Sequence, residues 1–248
     1  MHPGVKIRSV GMEFEMDDVR GARLAFRSVL AVCAHPDDES FGLGAALSTF
    51  SSWGVETSLL CFTHGEASTL GQNRSNLAVI RADELTAAGR VLGIGLLRLL
   101  AHPDGALADV DMEDLCDEIN AFDTAGAVDC LLVFDEGGIT GHPDHQRATQ
   151  AAMAFGHRRG IPVLAWALPE AVTSILNSEF GAGFVGRAPS EIDLVVEVNR
   201  DRQHQAIACH GSQSSDNPVL RRRLALQGST EWLRWLSAPT DRRTISDL

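Results

Sequence analysis

Ser28-Val29-Leu30-Ala31-Val32-Cys33-Ala34-His35-Pro36-Asp37-Asp38-Glu39 is the stretch from which the fold can be argued. Its first six residues have the length and β-branched content of a buried strand. The residues after it, 40–52, are predicted to form a helix. One imidazole and three carboxylates therefore sit where a strand hands over to a helix. In open α/β sheets, ligands bind outside the carboxyl ends of the strands. Two adjacent acids beside a His are costly to hold together unless a cation or a shared proton relieves the repulsion. A metal is the simplest relief. A helix cap with solvated acids is the plainer alternative.

A second stretch repeats the arrangement. Gly141-His142-Pro143-Asp144-His145-Gln146 follows the apolar run Asp129-Cys130-Leu131-Leu132-Val133-Phe134 and opens a helix over about 145–158. Pro36 and Pro143 each suit a first helical position, where the missing N–H costs nothing. If strands 28–34 and 128–134 are neighbours, the His and Asp side chains of both stretches converge on one cleft. Two His and one carboxylate with an open position form a common catalytic metal site.

Outward from these two stretches, strand alternates with helix. Strands are predicted at 55–62, 96–100 and 162–167, and helices at 77–92 and 111–122. That alternation predicts a parallel sheet with helices on both faces. Nothing is assigned before Ser28, although Phe14 and Phe26 could pack. The polar segment Ser68–Asn76 is expected to be a loop near the substrate, and 181–186 a glycine-rich loop. Residues 191–198 alternate as a late, edge-type strand. Two helical segments, 200–210 and 219–236, close the pattern. No composition break marks a linker, so one domain over 1–248 is expected, with its core at about 28–213.

The net charge of −12, from 21 basic and 33 acidic residues, argues against a nucleic-acid partner. No run is long enough to span a membrane, and the first twenty residues lack the apolar centre of a secretory signal. A cytoplasmic location is expected. The five cysteines show no CxxC spacing and are expected to be reduced core thiols. Tyr is absent, so no tyrosine can donate a proton. Arg221-Arg222-Arg223 is expected on a solvated helix face. Trp232 and Trp235, read as helical, are expected to serve packing or a homo-oligomer contact.

The sequence resembles the LmbE-like, or PIG-L-like, family of zinc-dependent N-acetylglucosaminyl de-N-acetylases. Ala34-His35-Pro36-Asp37-Asp38-Glu39 matches that family's AHPDDE, and Gly141-His142-Pro143-Asp144-His145 its GHPDH. Thr63-His64-Gly65-Glu66, Arg81-Ala82-Asp83-Glu84 and His210-Gly211-Ser212-Gln213 are similar to its T-x-G-E, R-x-x-E and H-x-S-Q. The motifs fall in family order from about Val29 to Gln213. The resemblance implies a Rossmann-like three-layer α/β sandwich with a mostly parallel sheet. It implies Zn²⁺ held by His35, Asp38 and His145, with Fe²⁺ or another divalent cation also suited to the set. It implies Asp37 as general base, His142 as the residue that polarises the carbonyl or protonates the leaving group, and Asp144 as the acid that orients an imidazole. Some sugar-thiol members carry a Tyr where this chain has Thr140, so the oxyanion partner or substrate fit differs here.

The resemblance implies removal of acetyl from an N-acetylglucosaminyl-type small molecule. Arg81, Asp104 and Thr140 are candidate substrate contacts, although Arg81 could instead pair with Glu84 or a neighbour. His102-Pro103-Asp104 copies part of the motif but lacks the second Asp and the following His. His64 is expected at the rim, and Glu39 as a supporting or capping acid. Three other functions fit the residues less well: an amidase for a thiol conjugate or another acylated amine, a non-haem iron oxidoreductase, and a sugar-binding protein. Acetate release separates the first from a deacetylase, and oxygen consumption separates the second.

Overall fold

The computed structural model describes residues 7–9, 26–70, 76–123 and 127–239. Phe14 and residues 71–75 of the expected loop lie outside them. The strands are β1 (Ile7–Ser9), β2 (Ser28–Cys33), β3 (Glu56–Thr63), β4 (Leu96–His102), β5 (Cys130–Phe134), β6 (Val163–Pro169), β7 (Gly186–Arg187), β8 (Leu194–Glu197) and β9 (Thr230–Ser237). The helices are α1 (Asp38–Phe41), α2 (Gly44–Ser52), α3 (Leu77–Leu92), α4 (Met112–Phe122), α5 (Gly138–Gly141), α6 (Pro143–Arg159), α7 (Glu170–Phe180), α8 (Asp201–Cys209), α9 (Gly211–Ser214) and α10 (Pro218–Gln227).

Eight strands follow the order β1-β8-β9-β6-β5-β2-β3-β4, and β7 adds to β6. The run β6-β5-β2-β3-β4 is parallel throughout. From β2 the chain builds one way through β3 and β4, then crosses back to build β5 and β6 on the other side. The order thus reverses between β2 and β5, whose register pairs Val29 with Cys130 and Ala31 with Leu132. That switch point is where a crevice opens above the carboxyl ends.

The strands are buried on both faces, so their side chains divide by parity between two cores. Val29, Ala31, Cys33, Leu132 and Phe134 pack on one face, with α2 and α7 supplying Leu47, Phe50 and Leu176. Leu30, Val32, Leu131 and Val133 pack on the other, with Leu115 and Ile119 of α4 and Ala151 and Phe155 of α6. This is a three-layer α/β sandwich with a mixed, mostly parallel sheet.

The structure corrects several expectations. Segment 219–236 is not one helix: α10 ends at Gln227, Gly228 turns with φ 54° and ψ −129°, and β9 follows. β9 lies antiparallel between β6 and β8. Trp232 and Trp235 are therefore strand residues, paired with Val195 and Leu164. β8 is not an edge, because β1 pairs beyond it. Helix 40–52 divides into α1 and α2 at Gly42 and Leu43, and Gly42 sits against Phe134. A Cβ on Gly42 would lie 2.2 Å from the Phe134 ring. Pro36 precedes α1 by two residues, whereas Pro143 does take the first position of α6. Helix α7 carried no assignment in the sequence. Phe26 packs edge-on against Phe50 with ring centroids 5.7 Å apart. Among the described residues, no helix is long and apolar enough to cross a membrane.

Candidate active site

After β2 the chain turns at Asp37, whose φ of 116° and ψ of −25° are unusual for a residue with a Cβ. Such backbone costs roughly 1–3 kcal/mol and persists only where the surroundings over-determine it. Here they do. The Asp37 carbonyl accepts from the N–H groups of Ser40 (3.0 Å) and Phe41 (2.7 Å). Its own N–H donates to Glu39 (2.9 Å). Its carboxylate accepts from Arg81 at 3.0 Å, and Arg81 also donates to the carbonyls of Gly65 and Pro36. Glu39, fully buried, accepts from the Ser40 hydroxyl and pairs with His210, each at 2.6 Å.

After β5 the chain passes α5, where Ile139 takes φ 66°, and reaches His142. His142 caps α6, its Nδ1 accepting from the Asp144 N–H at 3.2 Å. A neutral His142 ring must then carry its proton on Nε2. His145 follows on the first turn of α6, with Nδ1 3.1 Å from the Gly138 carbonyl. Its Nε2 lies 3.1 Å from Asp38 Oδ1 and 3.1 Å from His35 Nδ1. The opposite edge of His35, Nε2, lies 3.0 Å from Asp104 Oδ1 and 3.3 Å from Asp144 Oδ2. Asp144 is fully buried and held by the N–H groups of Gly105 (2.8 Å) and Leu107 (3.1 Å).

In the neutral rings, these partners choose the tautomers and test the site for a cation. His145 Nδ1 faces a carbonyl, so its hydrogen sits there and leaves Nε2 bare. His35 Nε2 faces two carboxylates, so its hydrogen sits there and leaves Nδ1 bare. Two lone pairs and a carboxylate oxygen then face one another, with His35 Nδ1 3.9 Å from Asp38 Oδ2. With both rings neutral, these three acceptors have no donor between them, and their repulsion is relieved by a proton on a ring or by a cation among them. Ligands about 2.0–2.1 Å from a tetrahedral ion stand about 3.3 Å apart, close to the separations found. The donor set fits a divalent cation. His142 also brings a ring nitrogen within 4.8 Å of one on each of His35 and His145, and His35, Asp104 and Asp144 form a second such group. In that second group the carboxylates meet the protonated edge of His35, and in the first the capped Nδ1 of His142 is already engaged.

Electrostatics separate the two adjacent acids. Burial acts to raise Asp38, but His145 and His35 outweigh it and hold its carboxyl far below the usual range. Burial pushes Asp37 up to about 6, with Arg81 opposing and Asp38 adding to the rise. Burial disfavours charge on His35, yet Asp104, Asp144 and Asp38 carry it up to about 10. His142 is lowered by burial and by His145 and His35, which favours its neutral form.

A cavity of about 570 Å³ opens over these groups. Asp37 and Ile139, the described non-glycine residues with positive φ, both line it. Its polar side carries His35, Asp38, His142 and His145, and its apolar side Phe41, Phe134, Trp166 and Phe184.

The structure thus brings together His35, Asp37, Asp38, Asp104, His142, Asp144 and His145. Arg81 is buried against Asp37 and touches the cavity, while Glu84 is occupied by the backbone N–H and hydroxyl of Ser212. Thr140 lies on the cavity wall. Asp104 reaches His35, whereas His102 turns away to Glu118 at 2.7 Å. His64 bonds the Ala78 carbonyl. The His210–Glu39 pair was missed, although the H-x-S-Q resemblance pointed to that segment. The Phe134–Trp166 wall was missed because both residues read simply as strand.

Comparison with known proteins matches this frame. Residues 30–155 match the family model described as PIG-L, GlcNAc-PI de-N-acetylase. A 1D-myo-inositol 2-acetamido-2-deoxy-alpha-D-glucopyranoside deacetylase of Nakamurella multipartita is 28% identical over 237 residues, covering 75% of this chain and 79% of its own. A probable N-acetyl-alpha-D-glucosaminyl L-malate deacetylase 2 of Bacillus cereus is 29% identical over 197 residues, covering 76% and 84%. The N,N'-diacetylchitobiose deacetylase of Pyrococcus horikoshii superposes with a TM-score of 0.65 at 21% identity, covering 89% of this chain and 87% of that one. The matched segment runs from β2 through α6 and so contains both His-Pro-Asp junctions, and on that ground the chain belongs to the PIG-L family of de-N-acetylases.

Proposed function

We propose that this chain is a metal-dependent hydrolase that removes acetyl from the nitrogen of an N-acetylglucosaminyl-type small molecule. The observation that carries the proposal is the convergence of His35 Nδ1, His145 Nε2 and Asp38 Oδ1 on one point, with Asp37 on the same cavity wall. His35, Asp38 and His145 would hold Zn²⁺, or another divalent cation such as Fe²⁺, which when bound supplies a polarised acyl oxygen and an acidified water.

The remaining chemistry belongs to side chains. Asp37 takes the proton of the attacking water and passes it to the amine nitrogen as the C–N bond breaks, so one group serves both transfers. His142, with its proton on Nε2, donates to the acyl oxygen as negative charge develops there. Asp144 and Asp104 hold the His35 ring so that Nδ1 faces the ligand cluster. The substrate class is supported by the relatives, which act on N-acetylglucosaminyl inositol and N-acetylglucosaminyl malate.

The test is a panel of N-acetylglucosaminyl compounds assayed for free amine and acetate with added zinc. Release from at least one member, lost on chelation and restored by metal, is expected. A zinc-loaded protein that releases neither product from any member would refute the reading.

A further inference from the structure

The segment Arg221-Arg222-Arg223 was expected to face solvent, and the structure divides it. Arg221 is exposed, and Arg222 pairs with Glu179 on the surface. Arg223 turns inward, is 5% exposed and lines the cavity over the candidate metal ligands. Its guanidinium stacks on Trp166, with its central carbon 4.9 Å from the ring centroid. Trp166 in turn packs on Phe134 at 5.5 Å, and Phe134 on His145 at 5.0 Å. Three ring contacts thus lead from the ligand cluster to this cation.

Each of the other buried arginines has its acid. Arg81 pairs with Asp37 and Arg200 with Glu231. Arg223 has no carboxylate within ion-pair distance among the described residues. Glu231, the acid whose charge acts on it, is engaged by Arg200, Trp166 and Gln227. One Arg223 N–H group donates to the Phe41 carbonyl. The remaining guanidinium N–H groups have no partner among the described residues and are not sealed from the cavity. A buried guanidinium without a counter-charge is costly, and its planar fork matches a carboxylate or phosphate. Burial lowers its pKa to about 10, so it is still charged at neutral pH.

We infer that Arg223, stacked on Trp166, is the specificity-determining residue that receives an anionic group, carboxylate or phosphate, on the part of the substrate remote from the acetamide. This inference rests on the deacetylase reading for the word substrate, but not for anion binding.

The first experiment is therefore binding to the zinc-loaded protein, with L-malate as the carboxylate probe and methyl phosphate as the phosphate probe. Arg223→Gln should weaken the preferred anion roughly 10- to 100-fold, as expected for a charge-assisted pair, with zinc content and circular dichroism unchanged. Arg223→Lys should lose less, since it keeps the charge and loses the fork. It also decides the matter should the Gln variant not fold. Equal affinity for both anions in wild type and the variants would overturn the inference. Whichever anion loses more identifies the source, carboxylate or phosphate. The second experiment compares kcat/KM for N-acetylglucosaminyl malate and N-acetylglucosamine 1-phosphate with that for methyl N-acetylglucosaminide. The ratio of anionic to neutral should fall about 10-fold or more in Arg223→Gln. An equal loss on all substrates would assign Arg223 a structural role and refute the inference. If wild type turns over none of them, the deacetylase reading fails, while the binding experiment still decides Arg223.

Discussion

The chain uses His-Pro-Asp after β2 and again after β5, and the two copies are built differently. After β5, Pro143 begins a long helix and His142 caps it. The tripeptide itself takes ordinary backbone there, and the positive φ falls three residues earlier, at Ile139. After β2, Pro36 begins nothing. The backbone is forced through φ 116° at Asp37, and the turn is held by Arg81 and by the buried Glu39–His210 pair. The junction after β5 presents two imidazoles, His142 and His145, and the one after β2 presents two carboxylates side by side. The lesson is that identical tripeptides take their roles from what fixes their backbone. A third copy after β4 sharpens it, since His102 leaves for Glu118 while Asp104 reaches His35.

If the two junctions share one ion, removing a ligand from either should have the same, largest effect. Asp38→Ala and His145→Ala are each expected to lose stoichiometric metal, measured by elemental analysis, and to drop to the activity of metal-stripped protein. Full metal retention in one of them would assign the ion to the other junction alone. Next in size, Asp37→Asn should keep the metal and lower kcat by roughly 100-fold or more. Loss of metal in this variant would make Asp37 a ligand or its support.

The two acids behind the His35 ring, Asp144 of the second copy and Asp104 of the third, give a smaller effect. Asp144→Asn should weaken metal binding about 10- to 100-fold by releasing the His35 ring, as read by competition with a chelating dye. Asp104→Asn should weaken it less, because Asp144 alone is completely buried. Equal losses would show that both acids hold the ring alike.

The smallest effect concerns stability. In the metal-free protein the folded pKa of Asp37, about 6, lies above the ordinary carboxyl value of 3.8. A carboxyl raised on folding favours the folded state at low pH, and that contribution is lost as pH rises through 6. Asp37→Asn should therefore raise the Tm of metal-free protein by a few degrees above pH 7, with the gain vanishing near pH 4. A gain that persists at pH 4 would place the cost in the backbone strain, which Asn shares less.

Much of the fold was legible because the parallel strands are buried on both faces and stand out as apolar runs, as Cys130–Phe134 does. The two junctions were legible because chemistry and position coincide there. What stayed hidden has physical causes. β9 carries Glu231 and Arg234 beside Trp232 and Trp235, a mixture that scans as an amphipathic helix. Only the pairing of Glu231 with Arg200 and Trp166, distant in sequence, explains a buried charge in a strand. Arg223 was hidden for the same reason, since its neighbours Arg221 and Arg222 do face outward. Asp104 could be seen as a candidate but not placed, because its target is fixed by the β3–β4 side of the sheet.

β9 also sets an order in time. β1 and β8 reach the parallel strands only through it, because it lies between β6 and β8. A nascent chain can assemble β2 to β6 and both His-Pro-Asp junctions as they emerge. Until Thr230–Ser237 arrives, β6 is an open edge and the indole of Trp166 and the guanidinium of Arg200 lack the acid that joins them. Among the described residues, the strand made latest is thus the one that closes the sheet, and a chain interrupted after Ser229 would expose an edge ready to pair with another copy.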